Sequence, residues 1–459
     1  MGGGPVRVRA RRPAVDHRGG RGRNRPRPHG RACAVDARRG LAEGERVRVL
    51  IGADTWTPNV NGACYAARRL AAGLAERGHE VHVAAPARGF RSRPAEQVGP
   101  ITEHRVRSMP VPRPSGFRIC PPPGLRRSAR ALLRRVRPDV VHVQSHMILG
   151  RMLLGAAQDL GIPAVATTHM IPDNILPAIS FLHLPPARLR RLFWWDAARV
   201  LGRAGVVTAP TPHAAMLAET HGVAGPVLPV SNGLDTSRFQ PDTSGRGTAF
   251  RERHGIPAGP LLGVVGRLDH EKHVDEIIRS LTIVRRSVPD ARLLIVGEGD
   301  EQARLRATVR AEGLEQAVTF TGRLSDEELS DVYAAIDVFV NAGTAELQSL
   351  VTLEAMATAR PVVAVDAGAL PHLVRHGENG FRYPHGDAGA LADRVVRVLS
   401  DPGAAAAMGE AGLRIVAEHT LPATLDAFEA IYRAQRATRL PDTRRTADRR
   451  GLTRSGRDG

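Results

Sequence analysis

Two carboxylates, Glu346 and Glu354, stand eight positions apart in the stretch Asn341 to Met356, on either side of Ser349. Ser349 is an N-cap type of residue, so the backbone amides that follow it, from Leu350 onward, would be unpaired at the positive end of a helix dipole. Such an end favours an anion, typically a phosphate. Glu354, about one and a half turns into the helix at ~1.5 Å per residue, would reach a polyol beside that phosphate, and Glu346 on the loop a second one. Ribose, diphosphate and sugar fit that order. By spacing alone, the same residues also fit an exposed amphipathic helix with two solvated glutamates.

A cation for the same anion is suggested by composition. Among 65 basic residues Lys272 is the only lysine. A chain that uses Arg almost everywhere and keeps one Lys points to a site needing a compact ammonium rather than a planar fork. Lys272 follows the apolar run Leu262–Val265 and Gly266-Arg267-Leu268, where a parallel sheet presents its ligand-binding edge.

The elements that must position these groups can be read from the pattern. Ahead of the two-glutamate stretch, Asp337–Val340 is a buried-strand type of run, and Leu350, Leu353 and Ala357 then recur at helical spacing. Upstream, Val47–Ile51, Val81–Ala85, Val140–Gln144, Ala164–Thr167, Val206–Ala209 and Val227–Val230 form a first series of candidate strands. Between the first two, Ala67, Leu70, Leu74 and Ala75 make a helical stripe that stops at Gly78. The unit is βαβ, so the sheet is parallel and doubly wound. Just before that helix, Pro58-Asn59-Val60-Asn61-Gly62 is a loop in which Gly62 would let backbone approach a ligand, or simply a turn. A second series, Leu262–Val265, Arg292–Val296, Val318–Phe320, Asp337–Val340 and Pro361–Val365, implies a second doubly wound domain. Gly297-Glu298-Gly299 lacks the third glycine of a dinucleotide fingerprint, because position 302 is Gln, which excludes a nicotinamide site on this strand.

With 459 residues, two domains are expected. Composition bounds the class further. The chain is 42% hydrophobic, with no run of the ~18 to 20 apolar residues that spans a bilayer. Its start lacks the apolar core of a secretory signal, and Cys33, Cys64 and Cys120 have no metal-ligand spacing, which together suggest the cytoplasm. The net charge of +19 sits mostly in the tails: residues 1–46 hold 13 Arg against four acids, and residues 433–459 nine Arg against three. Both tails read as disordered. A specific nucleic-acid partner is disfavoured, because aromatics for base stacking make up only 4% of the chain.

In chain order, the Pro58–Gly62 loop, Gly78-His79-Glu80-Val81, Pro138-Asp139-Val140-Val141-His142, Thr168-His169, Ser231-Asn232-Gly233-Leu234-Asp235, Gly266-Arg267-Leu268, Glu271-Lys272 and the two-glutamate stretch follow one another. This series resembles family 4 of the retaining glycosyltransferases with the GT-B fold, in which two Rossmann-like domains face across a cleft. The resemblance implies residues 46–225 as an acceptor domain, 226–418 as a nucleotide-sugar domain and 419–437 as a helix packing back on the first domain, between tails at 1–45 and 438–459. It also implies that Arg267 and Lys272 neutralise the donor diphosphate, Glu354 holds ribose hydroxyls and Glu346 sugar hydroxyls. Gly62 would complete the phosphate pocket, and His169 would contact the transferring sugar; a strand-end histidine satisfied by backbone is the other reading of His169. Leu347-Gln348-Ser349 departs from the glycine-rich pattern usual there and is expected to crowd the anion site. Preorganised cations and helix amides would stabilise the departing diphosphate, so neither metal nor cofactor is expected. His270 and His273 then read as a polar helix start rather than a ligand pair.

The expected reaction moves a hexose, of the UDP-glucose or GDP-mannose class, to an acceptor hydroxyl. Thr168–Asn174 and Ala345–Ala355 are more similar to the branch acting on membrane lipids than to enzymes with soluble acceptors. Arg113, Arg118, Arg126, Arg127, Arg130, Arg134, Arg135 and Arg137 crowd one part of the first domain and fit either an anionic membrane surface or a solvated helix. A soluble acceptor, an epimerase of the same fold and a binding protein without catalysis are the competing functions.

Overall fold

The computed structural model describes residues 46–57, 62–110, 118–172, 185–325 and 327–438. Residues 1–45 and 439–459, the loop at 58–61, and the positions Arg113, Phe117, Asp173 and Asn174 lie outside them, whereas residues 433–437, counted above with the basic tail, are helical.

The first sheet contains β1 (Arg48–Gly52), β2 (Glu80–Pro86), β3 (Glu96–Val98) and β4 (Ile101–Val106), a small separate hairpin of β5 (Met109–Pro110) and β6 (Arg118–Ile119) follows, and β7 (Val140–Val143), β8 (Ala164–Thr167), β9 (Val206–Ala209) and β10 (Val227–Pro229) complete it. Its order is β10-β9-β8-β7-β1-β2-β4-β3, parallel except for the β3 edge, and the register sets Val49 beside Val81 on one side and Val140 on the other. Strand order reverses beside β1, and at such a switch point a crevice opens beyond the strand ends.

The helices between these strands are α1 (Gly62–Glu76), α2 (Leu125–Val136), α3 (Ile148–Asp159), α4 (Pro186–Leu201) and α5 (Pro212–Thr220). Helices α2 to α5 cover one face through Leu125, Leu133, Leu153, Trp194, Val200 and Ala218. Because both faces are covered, β7 and β8 are buried throughout, which is why they read as mostly apolar runs rather than alternating ones, with His142 and Thr167 their only polar residues.

The second sheet has the order β13-β12-β11-β14-β15-β16 and is parallel throughout. Its strands are β11 (Leu261–Val265), β12 (Arg292–Val296), β13 (Val318–Gly322), β14 (Val338–Asn341), β15 (Val362–Val365) and β16 (Gly380–Tyr383). Around them lie α6 (Arg246–Arg253), α7 (Val274–Ser287), α8 (Gln302–Ala311), α9 (Glu328–Ala335), α10 (Leu350–Ala357), α11 (Leu370–Leu373), α12 (Ala388–Ser400) and α13 (Pro402–Val416). The chain then returns as α14 (Leu421–Ala437), which packs on the far face of the first sheet: Leu425, Phe428, Ile431 and Tyr432 join Val49, Leu70, Leu74 and Val83 in one cluster. At ~1.5–3 kcal/mol for each large apolar side chain fully buried, this return helix is a substantial part of the first core. Gly73 permits its close approach to α1, since a Cβ there would stand 2.6 Å from Leu425 Cδ1.

Several elements differ from the pattern-based reading. Strand β14 begins at Val338, because the Asp337 carboxylate accepts from the Leu261 amide at 2.8 Å and pairs with Arg251. Strand β4 is hidden by Glu103, His104 and Arg105, polar residues satisfied by one another and by distant partners: Arg105 pairs with Glu103 at 2.6 Å, Trp56 Nε1 donates to Glu103 at 2.7 Å, and the His82 and His104 rings meet at 3.0 Å. Strand β16, Gly-Phe-Arg-Tyr, lacks the apolar run of the other four-residue strands, and β3, β5, β6 and α4 are likewise not assigned from sequence.

Candidate active site between the two sheets

On the second sheet, the site is built from the turns after β11 and β14. Lys272 closes a short 3-10 turn, His270–Lys272, and its ammonium donates to Glu346 Oε1 at 2.6 Å. The two turns are tied together, since the Thr344 amide donates to the Glu271 carbonyl at 3.2 Å and His273 Nε2 meets the Thr344 hydroxyl at 3.1 Å. Behind Glu346 the Ala369 amide donates to its carbonyl at 2.9 Å, and Gly368, at φ 58°, lies so close that a Cβ would stand 2.9 Å from that oxygen. Lys272 and Glu346 are thus held by backbone on both sides while keeping partly exposed side chains.

Ser349 is the N-cap residue of α10, but not through its hydroxyl. That oxygen accepts from Asn341 Nδ2 at 3.0 Å and from the Thr352 hydroxyl at 2.9 Å, so the amide end of α10, beginning at the half-exposed Leu350, receives no side-chain cap. The expected crowding by Leu347, Gln348 and Ser349 does not occur. Leu347 is buried against the first sheet's core, and Gln348 Oε1 accepts from the Asn232 amide at 2.8 Å while its Nε2 donates to the Ser231 hydroxyl at 2.8 Å. Side chains that would have blocked the amides are instead used to tie the loop to neighbouring elements, a choice that residue type alone does not reveal.

Glu354 is buried, with Oε2 accepting from the Tyr333 hydroxyl at 2.8 Å and Oε1 lying 3.8 Å from the Arg69 guanidinium. Burial, then the carboxylate beside it, raises the Tyr333 phenol well above its usual range, so it remains a donor. Arg69 was missed from the sequence. It projects from α1, donates to the Gly233 carbonyl at 3.3 Å, and is seven residues from Gly62, hence on the same face two turns away. Gly62 opens α1, and among the described residues nothing lies within 4 Å of where a Cβ would stand on it. Arg267 is exposed and forms ion pairs with Asp269 and Glu271, the latter at 3.2 Å. Burial raises the Asp269 carboxyl, an effect that Arg267 opposes.

The first sheet contributes a neutral network. His169 follows β8, and its Nε2 lies 2.8 Å from Gln144 Oε1. An amide oxygen only accepts, so Nε2 carries the proton and Nδ1 remains an acceptor. Desolvation lowers this imidazole to about 4, which makes it neutral near pH 7. The Gln144 amide nitrogen contacts the His142 ring at 3.2 Å, and His142 is held between the Tyr432 hydroxyl and the Thr167 hydroxyl, both at 2.7 Å. Burial lowers His142 further, to about 3. The side chain of His169 is therefore satisfied by Gln144, a partner that the sequence reading listed only as the end of a strand.

The structure thus brings Lys272 and Glu346 into contact, sets Glu354 beside Arg69 of the Gly62 helix, and leaves His169 bonded within the first half. Among the described residues no three His, Cys, Asp or Glu form a group able to hold a metal ion. The basic helix α2 is partly neutralised: Arg126 forms a bidentate pair with Asp159, Arg130 lies 3.7 Å from the same carboxylate, Arg135 contacts the His104 ring, and Arg118 nearby donates to backbone carbonyls.

A family model described as Glycosyltransferase Family 4 matches residues 60–238, and one described as Glycosyl transferases group 1 matches residues 248–414. A GDP-mannose-dependent alpha-mannosyltransferase of Mycobacterium tuberculosis is 33% identical over 357 residues, which cover 77% of this chain and 89% of that one. An alpha-monoglucosyldiacylglycerol synthase of Acholeplasma laidlawii is 23% identical over 363 residues, 78% of this chain and 89% of the relative. Among solved structures, the fold is similar to that of sucrose-phosphate synthase from Thermosynechococcus elongatus, with a TM-score of 0.72 and 22% identity over 85% of this chain and 100% of that one.

Proposed function

The chain belongs to glycosyltransferase family 4 and is a hexosyltransferase that uses a nucleotide-sugar donor, and from that premise we propose that it transfers mannose from GDP-mannose to a hydroxyl of a membrane lipid, with retention of configuration. The observation that carries the donor assignment is the single lysine, paired with Glu346 beside an amide end that no side chain caps. The GDP-mannose assignment draws on the printed activity of the Mycobacterium tuberculosis relative, and the lipid acceptor on that of the diacylglycerol-directed one.

In this reading the diphosphate lies against Lys272 and the amides from Leu350 onward, with Arg267 turning from its carboxylate partners to join them. As the bond from the sugar C1 to the diphosphate oxygen breaks, negative charge grows on the leaving group, and Lys272 and the helix amides, already in place, stabilise it. Charge neutralisation of this kind does not call for a metal ion. Glu346 accepts from sugar hydroxyls while it holds Lys272, and Glu354, oriented by Tyr333, accepts from the ribose. Gly62 leaves room for the phosphates from the side of α1. Neutral His169 offers Nδ1 as an acceptor to a sugar hydroxyl near C1, and the acceptor oxygen bonds to C1 on the face that the diphosphate leaves, its proton passing to the departing diphosphate oxygen.

The test is a donor screen. GDP-mannose at about 100 times its dissociation constant is expected to add about 2.7 kcal/mol of stability, visible as a thermal shift, with EDTA present or absent. Stabilisation by UDP-sugars and none by GDP-mannose would overturn the donor assignment, and a strict requirement for Mg²⁺ would overturn the metal-free one. Transfer of labelled mannose into an organic-extractable product tests the acceptor.

A further inference from the structure

The outer face of α4 combines features that neither the fold nor the donor site uses. Its inner face is buried, Trp194, Ala197, Val200 and Leu201 in the first core and Leu189 beside them on the same helix. Its outer stripe runs Arg188, Arg191, Leu192, Trp195 and Arg199, successive steps of three, one, three and four that keep one side of the helix, and all five are exposed. Leu192 is 55% and Trp195 56% exposed. A large aromatic and a leucine side by side in water within a fringe of arginines are what an interfacial helix presents to a bilayer, where indole sits at the headgroup level and guanidinium meets lipid phosphate.

Charge supports the same partner. The only acidic residue of α4, Asp196, is drawn sideways into an ion pair with Arg151 of α3, so the outer stripe carries no carboxylate. The Arg199 guanidinium lies over the Trp195 ring, 5.6 Å from its centroid, and so keeps its charge beside the aromatic group. The other arginine-rich helix, α2, lacks this combination: none of its residues is among the exposed large hydrophobics, and Arg126 and Arg130 are engaged with Asp159.

We infer that α4 is the surface through which this protein seats on a bilayer containing anionic phospholipid, with Trp195 and Leu192 entering the interface and Arg188, Arg191 and Arg199 contacting the phosphates. The inference deepens the lipid-acceptor reading and rests on it for its purpose. Phe193, beside the stripe, stacks edge-on against His146 at 4.8 Å, and His146 is two residues from Gln144, the partner of His169. Seating α4 therefore brings the His169 end of the first sheet to the lipid from which an acceptor hydroxyl must come.

The full-length protein is mixed with vesicles of phosphatidylglycerol and phosphatidylcholine in equal parts, or of phosphatidylcholine alone, and tryptophan emission is read. Trp56 and Trp194 are buried, so a response reports Trp195, and tethering through the basic tails does not mimic it. A blue shift, quenched by brominated acyl chains, is expected with the anionic vesicles and not with the neutral ones. Trp195→Phe removes it, and the triple variant R188E/R191E/R199E abolishes it and lowers mannosyl transfer to vesicle lipid on the order of ten-fold or more, with the melting temperature and the GDP-mannose thermal shift unchanged. No blue shift in the wild type, or a blue shift retained by a folded triple variant, overturns the inference. Trp195 insertion without lipid mannosylation upholds the docking surface and sinks the acceptor reading; mannosylation of detergent-dispersed lipid without insertion does the reverse.

Discussion

The two sheets repeat one construction with opposite electrostatic endings. In the first, the amide end of α3 is already occupied: the Asp54 carboxylate accepts from the Leu149 and Gly150 amides at 2.8 and 3.1 Å and from the Ser145 hydroxyl at 2.6 Å. In the second, the amide end of α10 has no side-chain cap and stands near the chain's single lysine and its partner Glu346. Four histidines of the first half are held neutral chiefly by burial, His142 at about 3 and His104, His146 and His169 at about 4. A parallel sheet with a helix at its edge does not by itself make an anion site; whether the chain fills its own amides decides that.

The contrast between the sheets is broken most directly at Lys272. Lys272→Ala should lower kcat/KM on the order of 10²- to 10³-fold, the scale seen when one preorganised donor to a developing anion is lost, and Lys272→Arg should not restore it. Near-normal transfer by Lys272→Ala would mean that the second sheet's edge is not where the diphosphate sits.

Acid should separate the halves next. The first-sheet imidazoles have folded-state values below the unfolded value near 6.5, so below that pH the unfolded chain takes up protons that the folded chain refuses. Stability is complete above about 6.5 and declines as the pH falls towards 4, with His142 alone accounting for about 2 kcal/mol between pH 6.5 and 5. All three tryptophans, Trp56, Trp194 and Trp195, belong to the first half, so the melting followed by their fluorescence should shift down steeply over this range. A melting temperature that is flat between pH 7 and 5 contradicts the neutral network.

Asp54→Ala opens the α3 amide end and should cost about 1 to 2 kcal/mol, as the loss of a helix cap does. It sharpens the contrast if the GDP-mannose thermal shift is unchanged, because a second vacant helix end without a lysine should not recruit the donor. The smallest effect is expected on α2. Reversing Arg127 and Arg134 to Glu should leave lipid mannosylation within about two-fold, since charges on a solvated helix face contribute little. A ten-fold loss there would move membrane contact from α4 to α2.

Much of the architecture was legible because a buried parallel strand has to be apolar and has to stop at a turn. Val140–Val143 and Leu261–Val265 announce themselves in this way. Strand β4 does not, because Glu103 and His104 interrupt the apolar pattern and are tolerated there with the help of Trp56 and His82, partners that lie elsewhere in the sequence. The sequence reading of Leu347-Gln348-Ser349 failed for a related reason. It assigned volume to three side chains without knowing that the first enters another core, the second binds Ser231 and Asn232, and the third turns to Asn341.

By itself, the order of residues determined that this chain folds as two doubly wound sheets and which loops hold the candidate site residues, since hydrophobic period, glycine breaks and the isolation of Lys272 are local properties of the chain. Only the tertiary structure decided which of those groups meet. Lys272 and Glu346 are 74 residues apart, Tyr333 and Glu354 are 21 apart, and the ring that positions Gln144 beside His169 is itself fixed by Tyr432, 290 residues beyond it. Hydrogen bonds and ion pairs act over a few ångströms, and it is the packing of the apolar cores, with α14 returning to the first sheet, that brings these distant positions within that range.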